Sequence, residues 1–188
     1  RYIAVTGVQT CALPISFDEG SADLLEALGV SLFKIGSGEL TNLRFLSHVA
    51  RKGRPIILST GMATLGEVEE AVNTITAAGV TDLRLLHCVT EYPAPVEEAN
   101  LRAIGTLRRT FGLEVGYSDH TPGIEIALAA VALGATVIEK HFTLDPEDEG
   151  PDHRASLDPE CFARMVRAIR NVEVALGDGK KRPAPCEK

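Results

Sequence analysis

The 188-residue chain predicts an α/β fold, an incomplete (β/α)8 barrel carrying about its last five βα units. Three observations lead there. Short runs rich in Val, Ile and Leu alternate with helical patterns, which is how a parallel sheet covered on both faces reads. The runs begin roughly 20 to 30 residues apart, the length of one strand with its crossover helix. Nearly every run carries its unusual residues at its carboxyl end, and in a barrel all such ends converge on one mouth, whereas an open sheet concentrates them at a single switch point.

The elements follow in order. Residues 1–16, "RYIAVTGVQTCALPIS", lead into "FDEGSADLLEALGV" with no cap or turn logic and read as a non-native segment, the alternative being a strand over Tyr2 to Val8. The strand candidates are "LFKIG" (32–36), "PIILST" (55–60), "LRLLHCV" (83–89), "LEVGYS" (113–118) and "TVIEKHF" (136–142). Stretches such as "TLGEVEEAVNTITAAG" and "PGIEIALAAVALGA" repeat apolar residues at three and four and stop at glycine, as helices do. The barrel portion spans 17–178. The tail at 179–188, "GKKRPAPCEK", is dense in lysine and proline and reads as an exposed linker.

Composition limits the function classes. A net charge of −7 argues against nucleic acid or an anionic membrane as the main partner, while leaving room for a local basic pocket. Cys11, Cys88, Cys161 and Cys186 form no CxxC pair, so reduced thiols in a cytoplasm are expected. No apolar run approaches the roughly 18 residues that span a bilayer.

Two strand ends pose the chemical question. "VGYSDHTPG" and "VIEKHFTLDP" each finish on a histidine, His120 and His141. If those strands are parallel neighbours, about 5 Å apart, both imidazoles reach one point and suit a divalent transition metal, although a satisfied polar residue at a strand end accounts for either histidine equally well. Lys34 with Ser37, Ser59 and Ser118 at neighbouring strand ends would cradle an anion, and serines there also cap helices. His87 reads as a barrel-interior or supporting residue, His48 as surface, and His153 as a loop residue beside Asp152. Cys88 and His87, adjacent on a strand, face opposite ways and make no nucleophilic pair.

The blocks "KIGSGEL", "ILSTGMATLGEVEEAV", "LHCVTEYPAP", "GYSDHTPG", "EKHFTLD" and "GPDHRASLDP", in this order, resemble the sialic acid synthase family, which includes N-acetylneuraminate, legionaminate and spore coat polysaccharide synthases. The resemblance covers Phe17 to the C-terminus. It implies a (β/α)8 barrel that condenses phosphoenolpyruvate with an N-acetylated mannosamine-type sugar, giving a nine-carbon 2-keto acid and phosphate. It also implies a divalent cation, Mn2+ or Mg2+, held by His120 and His141, which thereby serve catalysis. Lys34, Ser37, Ser59, Thr90 and Ser118 match positions that hold phosphoenolpyruvate, and Tyr92 and Asp152 match positions on the sugar side. Thr90 stands where some members carry an asparagine, and "TEYPAP" is closer to legionaminate synthases.

The resemblance further implies a homodimer, a catalytic glutamate and a lysine on earlier strands, and a C-terminal antifreeze-like domain beyond the linker. Nothing upstream of Phe17 matches that glutamate or lysine, so this chain is expected to be an inactive fragment with two unpaired parallel edges. Two other functions fit the residues: a Schiff base aldolase using Lys34 or Lys140, and a noncatalytic truncated product.

Overall fold

The computed structural model describes residues 2–6, 9–150 and 152–187, with side chains described from Pro14 onward. Its single sheet contains β1 (Tyr2–Thr6), β2 (Gln9–Leu13), β3 (Phe33–Ile35), β4 (Ile56–Ser59), β5 (Leu83–Cys88), β6 (Glu114–Asp119) and β7 (Val137–His141). The order is β2-β1-β7-β6-β5-β4-β3. Strands β3 to β7 pair in parallel, each with its successor, and form a half-barrel. Their bounds fall within the five sequence runs, apart from one extra residue at Asp119.

Among the described residues the α-helices are α1 (Glu19–Ala27), α2 (Leu43–Ala50), α3 (Leu65–Ala77), α4 (Ala103–Phe111), α5 (Glu125–Ala132) and α6 (Pro159–Leu176). Their starts follow local chemistry. Asp18, Asn42 and Asp158 each accept a backbone N–H from the first turn, and Thr64 closes a capping box with Glu67. Asn42 and Thr64 are therefore the caps of α2 and α3, which leaves the hydroxyls of Ser37 and Ser59 to other partners. Residues 179–187 are almost entirely exposed.

The expectation of two unpaired parallel edges needs correction. Strand β1 runs antiparallel along β7, Tyr2 opposite His141 and Thr6 opposite Val137, and β2 pairs antiparallel with β1. Backbone donors and acceptors on a strand edge pair with any extended segment that reaches them, whatever its cap or turn signals. At the other edge, β3 is met by one parallel bridge from Ile15 to Lys34. Of the segment 1–16, Arg1, Gly7 and Val8 lie outside the described residues, as do the side chains of 2–13.

Alternation along the strands sorts the core. Phe33, Ile35, Ile56, Leu58, Leu85, Val115, Tyr117 and Ile138 belong to the large apolar cluster packed under the helices. The inner face has an apolar floor of Ile57, Leu86 and Val137. Gly116 belongs to this floor for steric reasons, since a Cβ there would stand 2.3 Å from the Val137 carbonyl. One step further along each strand, the inner face turns polar.

Candidate functional site

That polar step is formed by Lys34 on β3, Ser59 on β4, Cys88 on β5, Ser118 on β6 and Glu139 on β7. All five line one cavity of about 340 Å³ at the carboxyl ends of the strands. Ser37, Thr90, Tyr92, His120 and Asp152 complete its rim from the loops. Of the residues that the resemblance assigns to the metal or the substrates, His141 alone is not itself part of the lining, and its ring stands 5.4 Å from that of His120.

Lys34 is buried, 2% exposed, and its ammonium has three partners. Nζ donates to Ser59 Oγ at 2.8 Å and to the Ile35 carbonyl at 3.1 Å, and lies 3.4 Å from Glu139 Oε1. Ser118 Oγ donates to the same Glu139 oxygen at 2.7 Å. The other carboxylate oxygen, Oε2, is buried with no hydrogen-bond partner among the described residues, as is Thr90 Oγ1. A buried polar atom left unmatched costs about 1–3 kcal/mol, so two of them facing one cavity mark where a ligand's polar groups would be received. Glu139 was not singled out in the sequence. The signal for it was there: Glu139 lies two residues before His141, and a strand places such residues on one face.

Ser37 Oγ accepts the Gly61 N–H at 2.9 Å and lies 3.1 Å from Cys88 Sγ. Gly61 is required by close approach. A Cβ on it would stand 2.2 Å from Thr90 Oγ1, 2.8 Å from Cys88 Sγ and 2.9 Å from Ser37 Oγ. Gly61→Ala is expected to push these three groups into the cavity, costing about 1–3 kcal/mol of stability as overpacking does. It should also lower affinity for a small phosphorylated carboxylate by tenfold or more, read from the thermal shift that phosphoenolpyruvate produces. An unchanged shift would mean that the Ser37 and Thr90 hydroxyls do not touch the anion.

The two histidines sit at the mouth. His120 is 4% exposed and His141 3%, and Tyr92 lies against both, 4.2 Å from the first ring and 5.2 Å from the second. Burial pulls the His120 imidazole below its ordinary value, against the opposing pull of the Val89 carbonyl. Burial and the neighbouring His120 push His141 down to about 3. Both are therefore neutral at pH 7, the form that ligates metals. Asp152, largely exposed, has a carboxylate oxygen 4.0 Å from His141 Nδ1.

Counting protons identifies what His120 offers. Its Nδ1 lies 2.6 Å from the Val89 carbonyl, which only accepts, so Nδ1 carries the proton and Nε2 the lone pair. Ser118 Oγ stands 3.3 Å from that Nε2, but its one proton is given to Glu139 at 2.7 Å. A nitrogen lone pair thus faces an oxygen lone pair, an arrangement that a cation would relieve. The residues fit a divalent cation with imidazole ligands. Charge supports the same fit, because the formally ionised lining residues are one cation, Lys34, against two anions, Glu139 and Asp152, and an anionic ligand needs more positive charge than that. Among the described residues no group of three or more His, Cys, Asp or Glu side chains converges as a complete metal cage.

Other histidines take structural roles. His87 lies on the helix-covered face, not in the barrel interior, with its Nε2 2.9 Å from the Ala99 carbonyl and its ring 5.7 Å from Tyr117. The reason is strand alternation, which sends His87 and Cys88 to opposite faces. His48 pairs with Asp23 at 2.7 Å between α2 and α1, and His153 Nδ1 is 2.7 Å from Thr143 Oγ1. Lys140 corrects another expectation. It also faces away from the cavity, buried in an ion pair with Asp119 at 2.9 Å, and is unavailable to a substrate carbonyl there. No helix is long and apolar enough to cross a membrane among the described residues.

Comparison with known proteins agrees with the architecture. The chain is 54% identical over 177 residues to the N,N'-diacetyllegionaminic acid synthase of Campylobacter jejuni, covering 93% of this chain and 53% of that protein. The crystal structure of Bacillus subtilis SpsE, a spore coat polysaccharide biosynthesis protein, superposes with a TM-score of 0.86 at 44% identity, covering 93% of this chain and 49% of that one. A Leptospira borgpetersenii N-acetylneuraminic acid synthetase, solved with citrate, superposes at 0.85 and 40% identity, covering 91% and 60%. The chain spans about half the length of the curated relatives it matches. With the NeuB family matched over residues 1–181, the chain belongs to the NeuB family.

Proposed function

We propose that this chain carries the metal site and part of the substrate site of a synthase that condenses phosphoenolpyruvate with an N-acetylated mannosamine-type sugar. The products are a nine-carbon 2-keto acid of the sialic or legionaminic type and phosphate. The observation that carries the reading is the single cavity in which Lys34, the three serines and His120 converge.

Each residue has a task in that reaction. Lys34, Ser37, Ser59, Thr90 and Ser118 bind the phosphate and carboxylate of phosphoenolpyruvate through charge-assisted and neutral hydrogen bonds. The lone pair on His120 Nε2 and the imidazole of His141 hold a divalent cation, Mn2+ or Mg2+. When bound, that cation supplies Lewis acidity toward the sugar aldehyde and positive charge against the substrate anions. Tyr92, packed on both imidazoles, shields their outer side from water. Asp152 at the rim receives sugar hydroxyls, and holding both substrates between strand ends removes much of the entropic cost of their meeting.

The 188 residues alone are proposed to be inactive, the whole synthase being a homodimer of longer subunits. The test assays this chain, and a version extended to the length of its relatives, with Mn2+, phosphoenolpyruvate and either N-acetylmannosamine or its 2,4-diacetamido-6-deoxy relative. The extended protein is expected to release phosphate only when metal and both substrates are present, and the short chain to bind Mn2+ without turnover. Borohydride trapping of pyruvate on Lys34, insensitive to chelator, would replace the proposal with aldolase chemistry.

A further inference from the structure

Behind the two histidines, on the face of the sheet away from the cavity, lies a fully buried polar network that the reaction above does not use. Asp119 and Lys140 are register partners on the neighbouring parallel strands β6 and β7. Their side chains are 0% exposed, and Lys140 Nζ donates to Asp119 Oδ2 at 2.9 Å. The other carboxylate oxygen, Oδ1, accepts the Thr121 N–H at 3.0 Å and the Thr121 hydroxyl at 2.7 Å. Lys140 Nζ also donates to the Thr121 carbonyl. The chain on both sides of His120 is therefore fastened, at Asp119 before it and at all three polar groups of Thr121 after it.

The preceding register pair, Ser118 and Glu139, ties the same two strands on the cavity face at 2.7 Å. Directly after Asp119 and Lys140 the chain reaches His120 and His141. Two successive cross-strand ties, one on each face, thus end at the two imidazoles.

We propose that Asp119, Lys140 and Thr121 are positioning residues that set the orientation of His120 toward His141 and so preorganise the cation site. The inference rests on the metal-site reading above. Stability gives no reason for such a network, because a buried ion pair is often matched or bettered by well-packed apolar residues of similar volume. What apolar residues lack is direction. Four hydrogen bonds join Asp119, Thr121 and Lys140 on both sides of His120, and so fix the backbone from which its ring reaches the Val89 carbonyl, the acceptor that selects its tautomer.

The test uses the 188-residue chain with 15N-labelled histidine. A double variant, Asp119→Asn with Lys140→Met, removes both charges together and strands neither; Thr121→Val removes only the hydroxyl donor. Both are expected to keep a cooperative melt. The wild-type His120 signal is expected to show one tautomer, protonated at Nδ1, and the double variant a mixture of tautomers. Mn2+ affinity should fall about 10- to 100-fold in the double variant and several-fold in Thr121→Val. Folded variants with an unchanged tautomer and Mn2+ affinity within twofold of wild type would overturn the proposal. If the double variant fails to fold, Thr121→Val decides by the same two readouts. If the wild type binds no Mn2+, the metal reading falls, and the tautomer comparison still tests the positioning role.

Discussion

His120→Ala is expected to reduce Mn2+ affinity by more than about a hundredfold, beyond the 10- to 100-fold that changes behind a ligand histidine cost, and to take turnover of the extended synthase to background. The size follows from the ligand count. Among the described residues two imidazoles stand at the mouth, and His120 contributes the nitrogen whose lone pair the proton count leaves exposed. The variant also leaves the Val89 carbonyl without its 2.6 Å donor, at a cost of about 1–3 kcal/mol. Stability and affinity are separable, because a melt taken with chelator reports the first and Mn2+ titration the second. A variant that is destabilised yet binds Mn2+ like wild type would confine His120 to a structural role.

Lys34→Ala should produce the second large effect, and it has two parts. Its ammonium is the cation nearest Glu139, and stranding a buried charge by removing its partner costs about 3–5 kcal/mol. The anion loses charge-assisted bonds worth roughly 1.5–3 kcal/mol, about ten- to a hundredfold in phosphoenolpyruvate use, while use of the sugar changes little. Adding Glu139→Gln to Lys34→Ala is expected to restore much of the stability and none of the phosphoenolpyruvate affinity, which divides the lysine's two tasks. Equal losses toward both substrates in the extended enzyme would take Lys34 out of the anion cradle.

The double role of Lys34 explains why the cavity was half legible in the sequence. Lysine and serines at strand ends announce an anion site by residue type alone. That Lys34, held by Ser59 and Ile35 nearby, is also engaged by Glu139 depends on two strands more than a hundred residues apart in sequence being brought around one axis. Such distances exist only once the half-barrel has curled.

The parallel order of the five central strands was determined by the sequence itself, because continuous apolar runs separated by helix-length segments admit few other sheets. So was the side on which each polar residue stands, since alternation has period two: Glu139 and His141 inward, Lys140 outward, His87 and Cys88 apart. Tertiary structure alone decided three things. It gave the free edge of β7 to the antiparallel strands β1 and β2, from a segment that reads in the sequence as non-native. It set the tautomer of His120, through a carbonyl 31 residues away in the chain. It also turned Asp119, Lys140 and Thr121 into one network behind the histidines. In each case the deciding interaction, for the network the bonds from Lys140, is a hydrogen bond between segments well separated in sequence, and its partner is chosen by which backbone or side-chain groups meet after packing. Local periodicity and propensity hold no record of that meeting.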